Sequence, residues 1–167
     1  ALGPQSGRLA TTLNSVAYLY AVQKKFTQAE ALYARLLSVQ EKALGKERPE
    51  LAKELDLVAK FYHDQSKHSK AESLYRRALT IREKAFGPKH RELVVNIINL
   101  AELYRETGKY SLAEPLYKRA LVIAKKTLGP DNPETAVMSN NLALVYREQG
   151  NYSKAEILFQ RALKILV

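Results

Sequence analysis

Asn99–Leu121 reads NLAELYRETGKYSLAEPLYKRAL, and the wording returns at Asn141–Leu163 as NLALVYREQGNYSKAEILFQRAL. Weaker copies lie at 15–37 and 57–79. Before Gly108, Leu100, Ala101, Leu103 and Tyr104 recur at three- and four-residue spacing. Ala113, Leu116, Tyr117, Ala120 and Leu121 do so after it. This rhythm predicts helix, tight turn, helix. A chain written as copies of one helical hairpin predicts an all-α fold, an α-solenoid of about four antiparallel hairpins.

The period is 42 residues. Gly3, Gly45, Gly87 and Gly129 keep it, as do Ala17, Ala59, Ala101 and Ala143. Tyr20, Tyr62, Tyr104 and Tyr146 follow, then Ala29, Ala71, Ala113 and Ala155, and then Tyr33, Tyr75, Tyr117 and Phe159. The expected organisation is one array over 1–167, with repeats at about 9–50, 51–92, 93–134 and 135–167. First helices are expected at about 8–23, 50–65, 92–107 and 134–149. Second helices are expected at about 27–44, 69–86, 111–128 and 153–166.

Turn chemistry refines the map. Gly108 and Gly150 break the last two hairpins, where a positive φ costs a glycine little. Lys24 and Ser66 stand there in the first two copies, so those turns are expected to differ slightly. Thr27–Glu30, Ser69–Glu72, Ser111–Glu114 and Ser153–Glu156 match the capping box and predict starts of second helices. Phe26, His68, Tyr110 and Tyr152 precede these caps, suited to packing across the turn. Residues 1–4 repeat the wording of a linker, and the chain stops within a second helix. A fragment of a longer array, or one packing its ends on another copy, is the expectation.

Composition narrows the function classes. Hydrophobic residues make up 46% and charged residues 26%, as in a folded globular protein. No apolar run approaches the roughly 18 residues that span a bilayer, and 1–13 has no secretion-signal pattern. Cysteine is absent, which removes thiol nucleophiles and Cys-type metal sites. A cytoplasmic protein is expected. The net charge of +10 suggests an acidic partner. His63, His68 and His90 have no companions at metal-ligand spacing, and no phosphate loop, nucleophile elbow or HExxH is present. No enzyme, cofactor or metal site is expected.

These residues carry a resemblance. Ile97, Leu100, Ala101, Tyr104, Gly108, Tyr110, Ala113, Tyr117 and Ala120 resemble the tetratricopeptide motif. The 42-residue period, with NNLALVYREQGNYSKAE, AEPLYKRAL and IREKAFGPKH, is similar to the kinesin light chain group. The resemblance implies a superhelix whose first helices line a concave peptide-binding groove. Carried over residue by residue, it implies groove positions at Asn14, Tyr18, Lys53, Lys60, His63, Val95, Ile98, Arg105, Asn140, Leu144 and Arg147. Lys53, Lys60, Arg105 and Arg147 suit carboxylates. Asn14 and Asn140 suit a peptide backbone. Val95, Ile98, Val137 and Leu144 suit an apolar side chain. Tyr18 and Glu102 do not fit the chaperone-tail carboxylate clamp of other such domains.

The implied function is a protein-interaction scaffold. It binds an extended, acidic and hydrophobic peptide or partner protein in the groove, similar to kinesin light chain cargo recognition. A structural module that self-associates through array ends is the alternative. RNA binding is a lesser one, because stacking aromatics are not interleaved with the basic run at 76–84.

Overall fold

The structure, a computed structural model, describes residues 4–167. Gly3, the first glycine of the period, lies outside the described residues. Among those residues there are eight α-helices, one 3-10 turn and no strand. The helices are α1 (Pro4–Val22), α2 (Phe26–Leu44), α3 (Leu51–Asp64), α4 (His68–Phe86), α5 (Val94–Glu106), α6 (Tyr110–Thr127), α7 (Pro133–Glu148) and α8 (Tyr152–Leu166). The expected helix map holds to within a few residues at every boundary. The chain divides into two compact units, 1–81 and 82–167.

In the first unit α1 packs on α2, and α2 on α3. Its core joins Ala10, Leu13, Ala17, Ala29, Tyr33 and Leu36 to Val58 and Phe61 of α3. In the second unit α5 packs on α6, α6 on α7, and α7 on α8. The small residues of the 42-residue register explain how helices approach so closely. Ala17, Ala59, Ala101 and Ala143 are fully buried, as are Ala29, Ala71 and Ala113. A larger side chain at any of them would have to displace packed atoms.

The hairpin turns differ from expectation in one respect. Lys24 and Ser66 do not give a different turn. Both take φ 58°, beside 71° at Gly108 and 75° at Gly150. Each of the four turns closes with the same bond. The N–H of Lys25, Lys67, Lys109 or Asn151 donates to the carbonyl of Tyr20, Tyr62, Tyr104 or Tyr146, at 2.8–2.9 Å. This six-to-one bond, with a left-handed residue before it, satisfies carbonyls orphaned at the helix end. The geometry is thus imposed by the stacked helices even where no glycine is present.

The capping-box expectation is corrected. Helices α2, α4, α6 and α8 open at Phe26, His68, Tyr110 and Tyr152, so the Ser or Thr already stands inside the helix. Lys25 and Lys109 occupy the cap positions of α2 and α6 without a side-chain hydrogen bond. Asn151, before α8, does cap with its side chain, accepting from the Lys154 N–H at 3.4 Å. Two glutamates of the signature, Glu30 and Glu114, reach the next repeat instead, while Glu72 pairs with Arg76 and Glu156 with Gln160 one turn on in their own helices. Glu30 accepts from Tyr62 Oη at 3.2 Å, from Lys67 at 2.7 Å and from Lys70 at 2.5 Å. Glu114 accepts from Tyr146 Oη at 3.4 Å and from Gln149 at 3.0 Å, and pairs with Lys118 at 2.7 Å.

The linkers use local caps where proline or histidine allows. Asn132 caps α7 by accepting from the Glu134 N–H at 2.8 Å, with Pro133 at the first helical position. Before α5, Arg91–Leu93 forms the 3-10 turn, and His90 Nδ1 accepts from the Glu92 N–H.

Candidate peptide-binding site

The first helices carry the candidate site. In the first unit Asn14, Tyr18, Ala21 and Val22 follow one another at helical spacing along α1. They line an open cavity of about 410 Å³ together with Phe26 of α2 and Leu57, Lys60 and Asp64 of α3. Tyr33 and Phe61, both buried, form its floor, with ring centroids 4.7 Å apart and planes tilted by 52°. Burial raises the Tyr33 hydroxyl above its ordinary range, and nearby Tyr18 adds to this. The walls are apolar and open to solvent: Tyr18 is 65% exposed and Val22 62%. Exposed apolar side chains gathered in a concavity of this size are the ordinary make-up of a ligand site.

A smaller cavity of about 190 Å³ adjoins the same residue, Asn14, and is lined by Thr11, Gln40, Lys53, Glu54 and Leu57. Two buried oxygens here have no hydrogen-bond partner: Asn14 Oδ1 and Glu54 Oε2. The other Glu54 oxygen accepts from Gln40 at 3.0 Å. Both vacant atoms are acceptors. An occupant that donates N–H groups would satisfy them and relieve the cost of burying them unpaired. The sequence alone points to Asn14 but not to Glu54, whose place beside Gln40 is set by the approach of α3 to α2.

The basic residues fall into two groups. Lys60 pairs with Asp64 at 2.9 Å, Arg105 with Glu102, and Arg147 with Glu148 at 2.8 Å. Arg105 also donates through Nε to Glu102 at 3.2 Å, and the fully buried Tyr117 donates its hydroxyl to Glu102 as well. Burial and this carboxylate push the Tyr117 hydroxyl up, while Glu102 raises Arg105. These three cations already have carboxylate neighbours. Lys53 is exposed and makes no such pair among the described residues.

The remaining positions are placed as follows. His63 of α3 stands edge-on to His68, at 6.0 Å, and to Tyr75, at 6.4 Å. In the second unit Val95, Ile98 and Arg105 share one face of α5 by their spacing, as Asn140, Leu144 and Arg147 do on α7. Val95 is 68% exposed; Ile98, Asn140 and Leu144 are half-buried. The structure therefore brings Asn14, Tyr18 and Lys60 to one cavity and Asn14 and Lys53 to its neighbour. The sequence reading missed Phe26, Leu57 and Phe61. By its place before the cap Phe26 reads as a turn-packing residue, and the other two follow the core rhythm of α3, so nothing in their spacing separates lining from core. Among the described residues no group of acidic and histidine side chains could hold a metal ion, and no helix is long and apolar enough to cross a membrane.

The model of the tetratricopeptide repeat family matches at residues 8–84, 54–125 and 92–166. No curated protein sequence matches this chain. Among solved structures, BtubC (BKLC) from P. vanneervenii superposes with a TM-score of 0.83 at 24% identity. That match covers 96% of this chain and 64% of BtubC, so the chain spans somewhat less than two thirds of that relative. A putative kinesin light chain from Podosopora anserina, described as having nearly identical TPR-like repeats, gives 0.81 at 22% identity, over 94% of this chain and 74% of its own. The apo form of RapI gives 0.77 at 20% identity, over 96% and 43%. At these identities the likeness is one of fold. Repeats of this family generally mediate protein–protein interaction and are typically non-enzymatic. With its helical hairpins, its 42-residue register and family matches running from residue 8 to residue 166, the chain belongs to the tetratricopeptide repeat family.

Proposed function

We propose that this chain is a protein-interaction scaffold that captures an extended peptide segment against its first helices. The observation that carries the reading is the pair of adjoining cavities on α1 and α3, apolar in one part and holding unpartnered acceptors at Asn14 and Glu54. A peptide supplies both complements at once: an aromatic or aliphatic side chain for the larger cavity, and backbone N–H groups for the two oxygens. Lys53 and the net charge of +10 favour an acidic residue beside the apolar anchor.

The test is a peptide-array screen with the whole chain, followed by affinity measurement of the selected peptides. Tyr18→Ala is expected to weaken binding about tenfold, and Asn14→Ala about as much, since each removes on the order of 1–2 kcal/mol of contact. Circular dichroism checks that both variants stay folded. Peptides that bind both variants as tightly as the parent would refute the site.

A further inference from the structure

The second helices are tied together by an arginine clasp that recurs at the repeat period. In the first unit Arg77 of α4 donates to Glu41 Oε1 of α2 at 2.5 Å and to the Lys46 carbonyl at 3.3 Å. In the second unit Arg119 of α6 donates to Glu83 Oε1 of α4 at 2.5 Å and to the Pro88 carbonyl at 2.6 Å. In both, one guanidinium bridges a carboxylate near the end of the preceding second helix and a carbonyl in the loop after it. The planar fork of arginine suits such a two-acceptor bridge.

The next place in this register breaks the pattern. Arg161 of α8 stands where Arg77 and Arg119 stand, and Pro130 where Lys46 and Pro88 stand. Lys125 of α6 takes the place of Glu41 and Glu83. Arg161 has no hydrogen bond or ion pair among the described residues. Lys125 is half-buried, and its ammonium is pushed below the ordinary lysine range by burial and by Arg161 beside it. Two cations thus occupy the register positions where the fold twice pairs an arginine with an acid.

We propose that Lys125 and Arg161 form an oxyanion site, which takes from outside the chain the carboxylate or phosphate group that Glu41 and Glu83 supply from within it. The guanidinium offers two parallel N–H donors and the ammonium a third, a set that fits the oxygens of either group. An anion there removes the like-charge repulsion and joins α8 to α6 as Arg77 joins α4 to α2. It binds the folded chain only, so it raises stability by mass action. The site lies on second helices and does not depend on the peptide-binding reading of the first helices.

The experiment is thermal unfolding of the whole chain in sodium chloride, sodium acetate and sodium phosphate at matched ionic strength. For the parent chain the midpoint is expected to rise by about 2–4 °C in acetate, phosphate or both relative to chloride. Phosphate alone would identify a phosphate ligand; a response to both would mean that a carboxylate suffices. Lys125→Glu restores the clasp, so its midpoint in chloride should exceed that of the parent and no longer depend on the anion. Arg161→Gln should lose the anion dependence without that gain. An equal anion response in the parent and both variants, meaning an adventitious ion only, would overturn the proposal. So would a parent chain with no response to either anion.

Discussion

At the residue scale, the four hairpin turns isolate one variable. Lys24, Ser66, Gly108 and Gly150 occupy one register position and share a left-handed backbone. A Cβ added to Gly108 or Gly150 meets no atom within 4 Å, so what a side chain costs there is conformational rather than steric. The left-handed region disfavours a residue bearing a Cβ by about 1–2 kcal/mol, part of which is offset because glycine leaves the unfolded chain more freedom. Lys24→Gly and Ser66→Gly are therefore expected to stabilise the chain by about 0.5–1 kcal/mol each, and Gly108→Ala to destabilise it by a similar amount. Urea midpoints measured on the three variants check the signs. A destabilised Lys24→Gly would mean that the lysine side chain contributes more than its backbone loses.

At the scale of elements, Glu30 and Glu114 of the Ser/Thr-x-x-Glu signature tie one hairpin to the next. Lys67 and Lys70 hold the Glu30 carboxyl at about 2, against an ordinary 4.5, with burial opposing them and the Tyr62 hydroxyl helping. A lowered folded-state value means stability that is present in full above the unfolded pKa and is lost as pH falls through the folded one. Glu30 should contribute about 1–2 kcal/mol at neutral pH once solvent screening of the partly exposed lysines is allowed for. That contribution should disappear between about pH 4.5 and pH 2. Glu30→Gln is expected to lower the urea midpoint at pH 7 and to flatten the acid limb of the midpoint-against-pH curve. Parallel curves for parent and variant would dismiss the tie. The same residues show where sequence reading reached its limit. The 42-residue register placed Ala101, Tyr117 and every helix to within a few residues, because burial follows periodicity directly. It could not say whether Glu30 bonds three residues back or thirty-two ahead, since both partners are fixed by the same register. The cavity was legible by the same measure. Tyr18 and Asn14 stand off the core stripe of α1 and were readable, whereas Phe61 packs in the core and lines the site at once.

At the scale of the whole molecule, what recurs between copies and what varies do different work. The alanines of the register are buried and its tyrosines buried or half-buried, both nearly invariant from copy to copy, and they set the spacing of helices. The first-helix faces change in every copy, from Asn14 and Tyr18 to Lys53 and Lys60, then to Val95 and Ile98, then to Asn140 and Leu144. To this varied surface is added an overall excess of basic residues, 27 against 17 acidic ones. Such an excess attracts acidic ligands at a distance and is screened beyond a Debye length of about 8 Å at physiological salt. Contacts inside the cavity on α1 and α3 are short-ranged and resist screening. The two contributions to capture of an acidic, apolar peptide should therefore separate with ionic strength. For the parent chain, association is expected to slow several-fold between about 50 and 300 mM salt, with a smaller change in dissociation. The double variant Lys53→Glu, Lys60→Glu should bind more weakly at low salt and lose most of that slope, while Tyr18→Ala should keep the slope and dissociate faster. Stopped-flow kinetics with one fluorescent peptide measures all three. A salt slope that survives the double lysine change would place the steering charge elsewhere on the chain, on the second helices rather than beside the cavity.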